Sequence, residues 1–456
     1  MSQRKNPPGG RGPHKESGPP EPPQPRSSPS FRRQPARPDA DDLLASINAA
    51  AGFENPLPLL ELASSTLAVL EPDRNDPSVL RQPGSADRAG FLNALLGAGL
   101  PETELLLAAI HALSADDLER ARIARTLRAE LTDADNLLQQ FAGLVLYRAV
   151  EQSHVLGDGD NVLLGVRTAA GYKFTLVIYV DHNMGTLVKD AFAIPQPVAE
   201  VITGMKSYIS EPGSLWAELS PADARTRVEE AISRGARTVS PLETDSWPGV
   251  RPLTEAVLRA APSGGHGYQR PEWSENQLEA LSGEFFRSPF GRELDTEDHR
   301  ALLTMVLWFG TASGPGDPLR WSPTAVEIVL LDWAPDRIAA PLEVLLLPNL
   351  LRAFVRYCHA ERGIQKELTL QTLAAIDRYQ PDFVQLIHTD RGWEPPLPGP
   401  VGVLPQLDRD ADAPDRPSGG PDNCFEGLML EQLRRTVGGR EELDNLDARP
   451  LPEEDF

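Results

Sequence analysis

Residues 154–192, HVLGDGDNVLLGVRTAAGYKFTLVIYVDHNMGTLVKDAF, carry the densest strand signal in the chain. From Tyr172 the residues alternate: Tyr172, Phe174, Leu176, Ile178 and Val180 take one face, and Lys173, Thr175, Val177 and Tyr179 the other. β-Branched and aromatic side chains at period two suit a pleated, half-buried surface, so the pattern predicts a strand. Asn161–Arg167 is a shorter apolar run, and Thr168–Gly171 supplies the turn between the two. Asn183-Met184-Gly185 then reverses the chain into a third strand over Thr186–Ala193, Gly185 being free to take positive φ. The expected fold is α+β, predominantly helical, with a three-stranded antiparallel meander and disordered N- and C-terminal tails.

The meander has a chemical consequence. If its first strand runs up from Asn161 and its second down from Tyr172, then Asp158 and Asp160 lie close to Asp181, His182 and Asn183. His154 is expected one turn earlier, at the end of a helix over Asn136–Glu151 read from Leu137, Leu138, Phe141, Leu144, Val145 and Arg148. Hard divalent cations take carboxylate and amide oxygens, and histidine admits Mn²⁺ or Zn²⁺. The candidate metal ligands are therefore His154, Asp158, Asp160, Asp181, His182 and Asn183. The candidate catalytic residues are Asp158, Asp160, Asp181, His182, Lys189 and Asp190, with Lys189 placed to hold an anionic substrate and the ion to activate water. Turn chemistry competes with this reading, because Asp, Asn and Gly dominate tight turns for local reasons. Asp158-Gly-Asp160-Asn161 starts like a calcium loop but lacks its later ligands.

Composition narrows the classes. The chain has 456 residues, 40% of them apolar, and can bury a sizeable core. A net charge of −22 argues against a protein built to coat nucleic acid. Only Cys358 and Cys424 are present, which is neither a disulfide framework nor a zinc knuckle, so a reducing, cytoplasmic setting is expected. No apolar run reaches the roughly 18 residues a membrane span needs, and no membrane partner is expected.

Residues 1–40 read as a disordered basic, Pro-rich tail with no Val, Ile or Leu before Pro38. Residues 41–153 read as helical, 154–265 as the meander with helices, and 266–390 as a helical domain. Here Cys358-His359 reads as a buried thiol beside a surface histidine, and His111 earlier as a packing histidine. Residues 391–456 form an acidic tail in which 424–435, CFEGLMLEQLRR, is amphipathic. Phe425, Leu428, Met429 and Leu433 share one side, as a docking peptide for a partner groove or a strap on the protein's own body would require.

The phrases HVLGDGDNVLLGV (154–166), YVDHNMGTLVKDAF (179–192), SPTAVEIVLLDW (322–333) and LRAFVRYCHAERG (351–363) resemble an uncharacterised family of high-GC, actinobacterial-type cytoplasmic proteins. The resemblance covers about 133–381 and implies a bacterial intracellular origin, with no chemistry to carry over. The leading expectation is a non-enzymatic protein-interaction or regulatory protein whose partner is another protein. The alternatives are a metal-dependent hydrolase at the meander edge, using a divalent cation, and nucleic-acid tethering through the basic N-terminal tail.

Overall fold

Residues 145–151, which the spacing assigns to the end of a helix, fall in the first strand of a larger sheet. The structure, a computed structural model, describes residues 40–70, 88–208, 212–238, 244, 246–338 and 341–388. Apart from Ala40 the expected tails lie outside the described residues, as does the amphipathic stretch 424–435 with Phe425, Leu428, Met429 and Leu433. The described residues from Leu44 onward pack as one compact unit that takes in all three central stretches.

Helices α1 (Ala40–Ala51), α2 (Leu57–Leu70), α3 (Arg88–Ala98), α4 (Pro101–Leu113), α5 (Asp117–Glu130) and α6 (Ala134–Phe141) precede the sheet. Asp116 caps α5: its carboxylate accepts from the Leu118 and Glu119 amides. The expected helix over 136–151 stops at Phe141, because Gly143 takes the left-handed conformation at φ 65°. β1 (Val145–His154) follows, so His154 ends a strand and not a helix. The apolar run Leu144–Val150 satisfies both periods, and pairing with β2 decides between them.

The meander itself is present as β2 (Gly159–Arg167), β3 (Lys173–Asp181) and β4 (Leu187–Ile194). With β1 and β5 (Ser214–Leu219) it makes a five-stranded antiparallel sheet in the order β4-β3-β2-β1-β5, in place of the three strands expected. Register fixes which side chains share a face. Val162, Leu164 and Val166 of β2 lie opposite Ile178, Leu176 and Phe174 of β3, and all six are fully buried. On the other face Val150, Leu163, Val177 and Phe192 pack against Val198, Val201 and Met205 of α7 (Val198–Tyr208). Helix α8 (Pro221–Gly235), capped by Ser220 with Pro221 in its first turn, covers the first face and pairs its Arg227 with Glu151 of β1. Helix α9 (Trp247–Ala260) packs beside α8 and against β1, β4 and α2. Antiparallel sheets often leave one face wet. Here both are covered, which is why β2 and β3 are apolar in both registers.

The C-terminal helices are α10 (Glu275–Arg287), α11 (Glu297–Ala312), α12 (Pro323–Glu327), α13 (Ala334–Arg337), α14 (Pro341–Val344), α15 (Leu347–Arg362) and α16 (Lys366–His388). Ile328–Trp333, between α12 and α13, is π-helical. Pro381 lies inside α16 without ending it. Phe285, Phe354, Trp321 and Trp333 anchor this core.

Close approach of α7 to the sheet depends on one glycine. A Cβ at Gly165 would sit 2.7 Å from Val198 Cγ1 and 2.9 Å from Tyr147 Cζ, whose hydroxyl accepts from the Val198 amide. Gly165→Ala should therefore overpack this contact and lower unfolding stability by about 1–3 kcal/mol. A urea midpoint unchanged from wild type would refute it.

Candidate functional site

The six groups expected to converge do meet at one edge of the sheet, but in separate pairs. Asp160 lies opposite Val180, so it takes the α8 face. Asp181 is the next residue along β3 and takes the α7 face, since successive side chains alternate. The two carboxylates therefore leave opposite sides of the sheet. Asp160 Oδ2 lies 2.9 Å from His182 Nε2, and His182 Nδ1 lies 3.2 Å from Thr186 Oγ1. Asp160 and His182 are 7% and 8% exposed, so the pair is internal. Thr186 takes φ 61°, a strained setting for a β-branched residue, and its hydroxyl meets that imidazole. Asp181 accepts from the Met184 amide in its own bend and from Lys189 Nζ at 3.2 Å.

His154 is spent as well: the Leu156 amide donates to its Nδ1, leaving Nε2–H to donate to the Pro212 carbonyl at 2.9 Å. Asp190 accepts from Thr244 Oγ1 and Ser246 Oγ, tying β4 to the chain entering α9. Asn183 Nδ2 donates to Asp158 Oδ1 at 2.8 Å. Among the described residues no group of three or more His, Cys, Asp or Glu side chains is placed to hold a metal ion. The single six-ligand edge expected from the meander is thus corrected to a row of pairs, because strand alternation separates neighbouring carboxylates.

Asp158 does something the sequence did not signal. Its Oδ1 also accepts from Ser322 Oγ at 2.6 Å, and Ser322 caps α12 by accepting from the Ala325 amide. The polar edge is thus the joint between the sheet and the C-terminal helices. Around it Arg320 and Pro315 pack on Gly157, and Asp317 is held by Arg362 Nη2 and Arg320. Burial pushes the Asp158 carboxyl from the ordinary 3.8 up to about 6, against the lowering effect of the Ser322 and Asn183 bonds. The cavity at this joint is about 10 Å³, room for a water molecule and no substrate.

Other singled-out groups are also structural. His359 is 1% exposed, correcting the expected surface position, and it bonds the Trp321 carbonyl and Thr369. Cys358 is fully buried, and burial pushes its thiol pKa well up. His111 packs as expected, with burial lowering its pKa, though its Nδ1 has no partner among the described residues. A second buried group at the α8 face leaves no signal in the sequence. There Arg227 pairs with Glu151 and lies 5.0 Å from the centroid of the Tyr268 ring, which meets His182 edge-on at 4.9 Å.

A sizeable cavity lies elsewhere, a groove of about 610 Å³ among α2, α3, α5 and α9. Leu67, Leu92, Leu96, Leu113, Leu118 and Ile123 give it an apolar floor and walls. Leu118 is 82% exposed, an unusual position for a leucine that lines a cavity. Arg122 Nη2 donates to Asn93 Oδ1 and Arg259 Nη2 to the Leu113 carbonyl, neither to a carboxylate. Asp116, Glu119 and Glu255 complete the rim. No protein family, curated protein or solved structure matches the chain.

The Asp158 joint has a pH signature. The unfolded carboxyl ionises near 3.8 and the folded one near 6, so stability is highest below the window and falls as pH rises through it. Asp158→Asn keeps an acceptor for Ser322 and Asn183 but has no charge to bury. Its stability relative to wild type should grow by about 1–3 kcal/mol between pH 4 and pH 7 in denaturant titrations. A pH-independent difference would contradict the assignment.

Proposed function

We propose that the chain is a non-enzymatic protein-interaction protein that holds an apolar helix of its partner in the α2–α3–α5–α9 groove. The observation that carries this reading is the groove itself. Its volume of about 610 Å³ falls within the range of binding sites, roughly 300–1,000 Å³. Apolar walls with a charged rim suit an amphipathic helix, whose anchors recur every three to four residues. The internal pairing of Asp160 with His182 and of Asp181 with Lys189 supports the same reading, since neither pair is left open to a substrate.

Leu96→Glu with Leu118→Glu places two charges in the lining of the groove. Partners recovered from extract with the full chain should fall at least about tenfold, a loss of about 1.4 kcal/mol in binding. Leu370→Glu, at an exposed residue of α16, should leave recovery unchanged. Equal recovery by all three proteins, with unaltered melting temperatures, would overturn the proposal.

A further inference from the structure

We propose that the helix this groove takes is acidic, with carboxylates beside its apolar stripe that seat on Arg122 and Arg259; this rests on the groove reading above. The lining carries three acids, Asp116, Glu119 and Glu255, and three bases, Arg88, Arg122 and Arg259, so formal charge alone selects nothing. Contacts within and around the lining break that balance. Glu119 gives both its oxygens to Arg88, at 2.9 and 3.1 Å. Glu255 Oε1 accepts from Arg251 Nε at 2.8 Å, and Asp116 is held by the amides it caps. All three acids are therefore engaged. Two of the bases are not matched in this way. Arg122 Nη2 donates to Asn93 Oδ1 of α3 and Arg259 Nη2 to the Leu113 carbonyl at the end of α4, and among the described residues neither pairs with a carboxylate.

A guanidinium is a planar fork of several N–H donors. Here each uses one donor on a neutral oxygen, which pins the group in place and leaves the others to a ligand. Both side chains are exposed, so a carboxylate can reach them. Planar, fixed donors of this kind bind carboxylates bidentately, whereas an ammonium in the same place meets like charge and acids already engaged. Burial holds the Arg259 guanidinium below the ordinary arginine range, with Glu255 opposing the shift and Arg120 adding to it. An incoming carboxylate offsets that shift. The chain as a whole works the other way, because a net charge of −22 draws basic peptides at long range. At ~0.15 M salt such attraction is screened beyond about 8 Å. A preference for acidic peptides is therefore a local property of the groove.

The probes are three fluorescein-labelled peptides of roughly 15 residues that share a leucine stripe at helical spacing. They differ only at the positions beside the stripe, which are Glu, Gln or Lys. Fluorescence anisotropy with the full chain at ~0.15 M salt should rank them Glu, Gln, Lys, with at least about tenfold between first and last. Arg122→Glu with Arg259→Glu should invert the order. Arg122→Gln with Arg259→Gln, the milder change should that pair lower the melting temperature, should bring the three affinities within about threefold. Arg167→Glu with Lys173→Glu is an equal change of charge on an exposed pair across β2 and β3, outside the groove lining, and should leave the order intact. Equal affinities in the wild type, Lys ranked first, or an order indifferent to both arginine pairs would overturn the proposal. If all three peptides bind equally and Leu96→Glu with Leu118→Glu abolishes binding, the charge preference falls and the groove reading stands. If no peptide binds, both fall. Binding of dodecanoate alone, lost in Arg122→Gln with Arg259→Gln, would assign the groove to a carboxylate amphiphile and overturn the helix.

Discussion

A single carboxylate oxygen joins the sheet to the C-terminal helices. Asp158 Oδ1 accepts from Asn183 in the β3–β4 turn and from Ser322 at the head of α12, so three segments distant in sequence share one acceptor. Two charge-assisted bonds of this sort are among the stronger contacts a protein makes. They hold a group whose burial raises its pKa to about 6, so the joint carries a standing electrostatic cost at neutral pH. The neighbouring contacts reinforce it: Asp317 clamps Arg362 and Arg320, and Trp321 hands its carbonyl to His359. Dense polar residues at this edge are explained by the need to satisfy buried groups where two layers meet.

Much of the architecture was legible because local chemistry and burial agree there. β3 alternates cleanly, Ser220-Pro221 starts α8, and Thr296 caps α11 through the His299 amide. β1 was misread because Leu144–Val150 fits a helix as well as a strand, and only pairing to β2 and β5 separates them. β5 is six residues between Pro212-Gly213 and Ser220-Pro221, too short for its alternation to stand out. At the edge, the residues singled out in the sequence lie in separate pairs and not in one set. Adjacent strand positions face opposite ways, so Asp160 and Asp181 were never able to share an ion. The groove was not legible at all: its lining comes from helices spread over residues 67–259, and each leucine alone reads as core.

The groove and the joint divide the protein's chemistry. At the joint, polar groups are consumed by one another, and the space left is water-sized. In the groove, apolar side chains are left with room between them, and Leu118 is mostly exposed. Apolar surface held open in water is unfavourable, and it persists where a binding partner offsets it. The docking reading follows from that contrast more than from any one residue.

One wall of the groove is built from a repaired helix. Pro252 lies inside α9 and removes a donor from its ladder, and Ser64 of α2 reaches into the opening. Its hydroxyl donates to the Gly249 carbonyl at 2.6 Å and accepts from the Leu253 amide at 3.0 Å. Residues 185 positions apart thus complete one turn. The hydroxyl acts as a splice: α9 owes its continuity to a group that left the ribosome long before it did, and the groove wall exists only once both ends of that history have met.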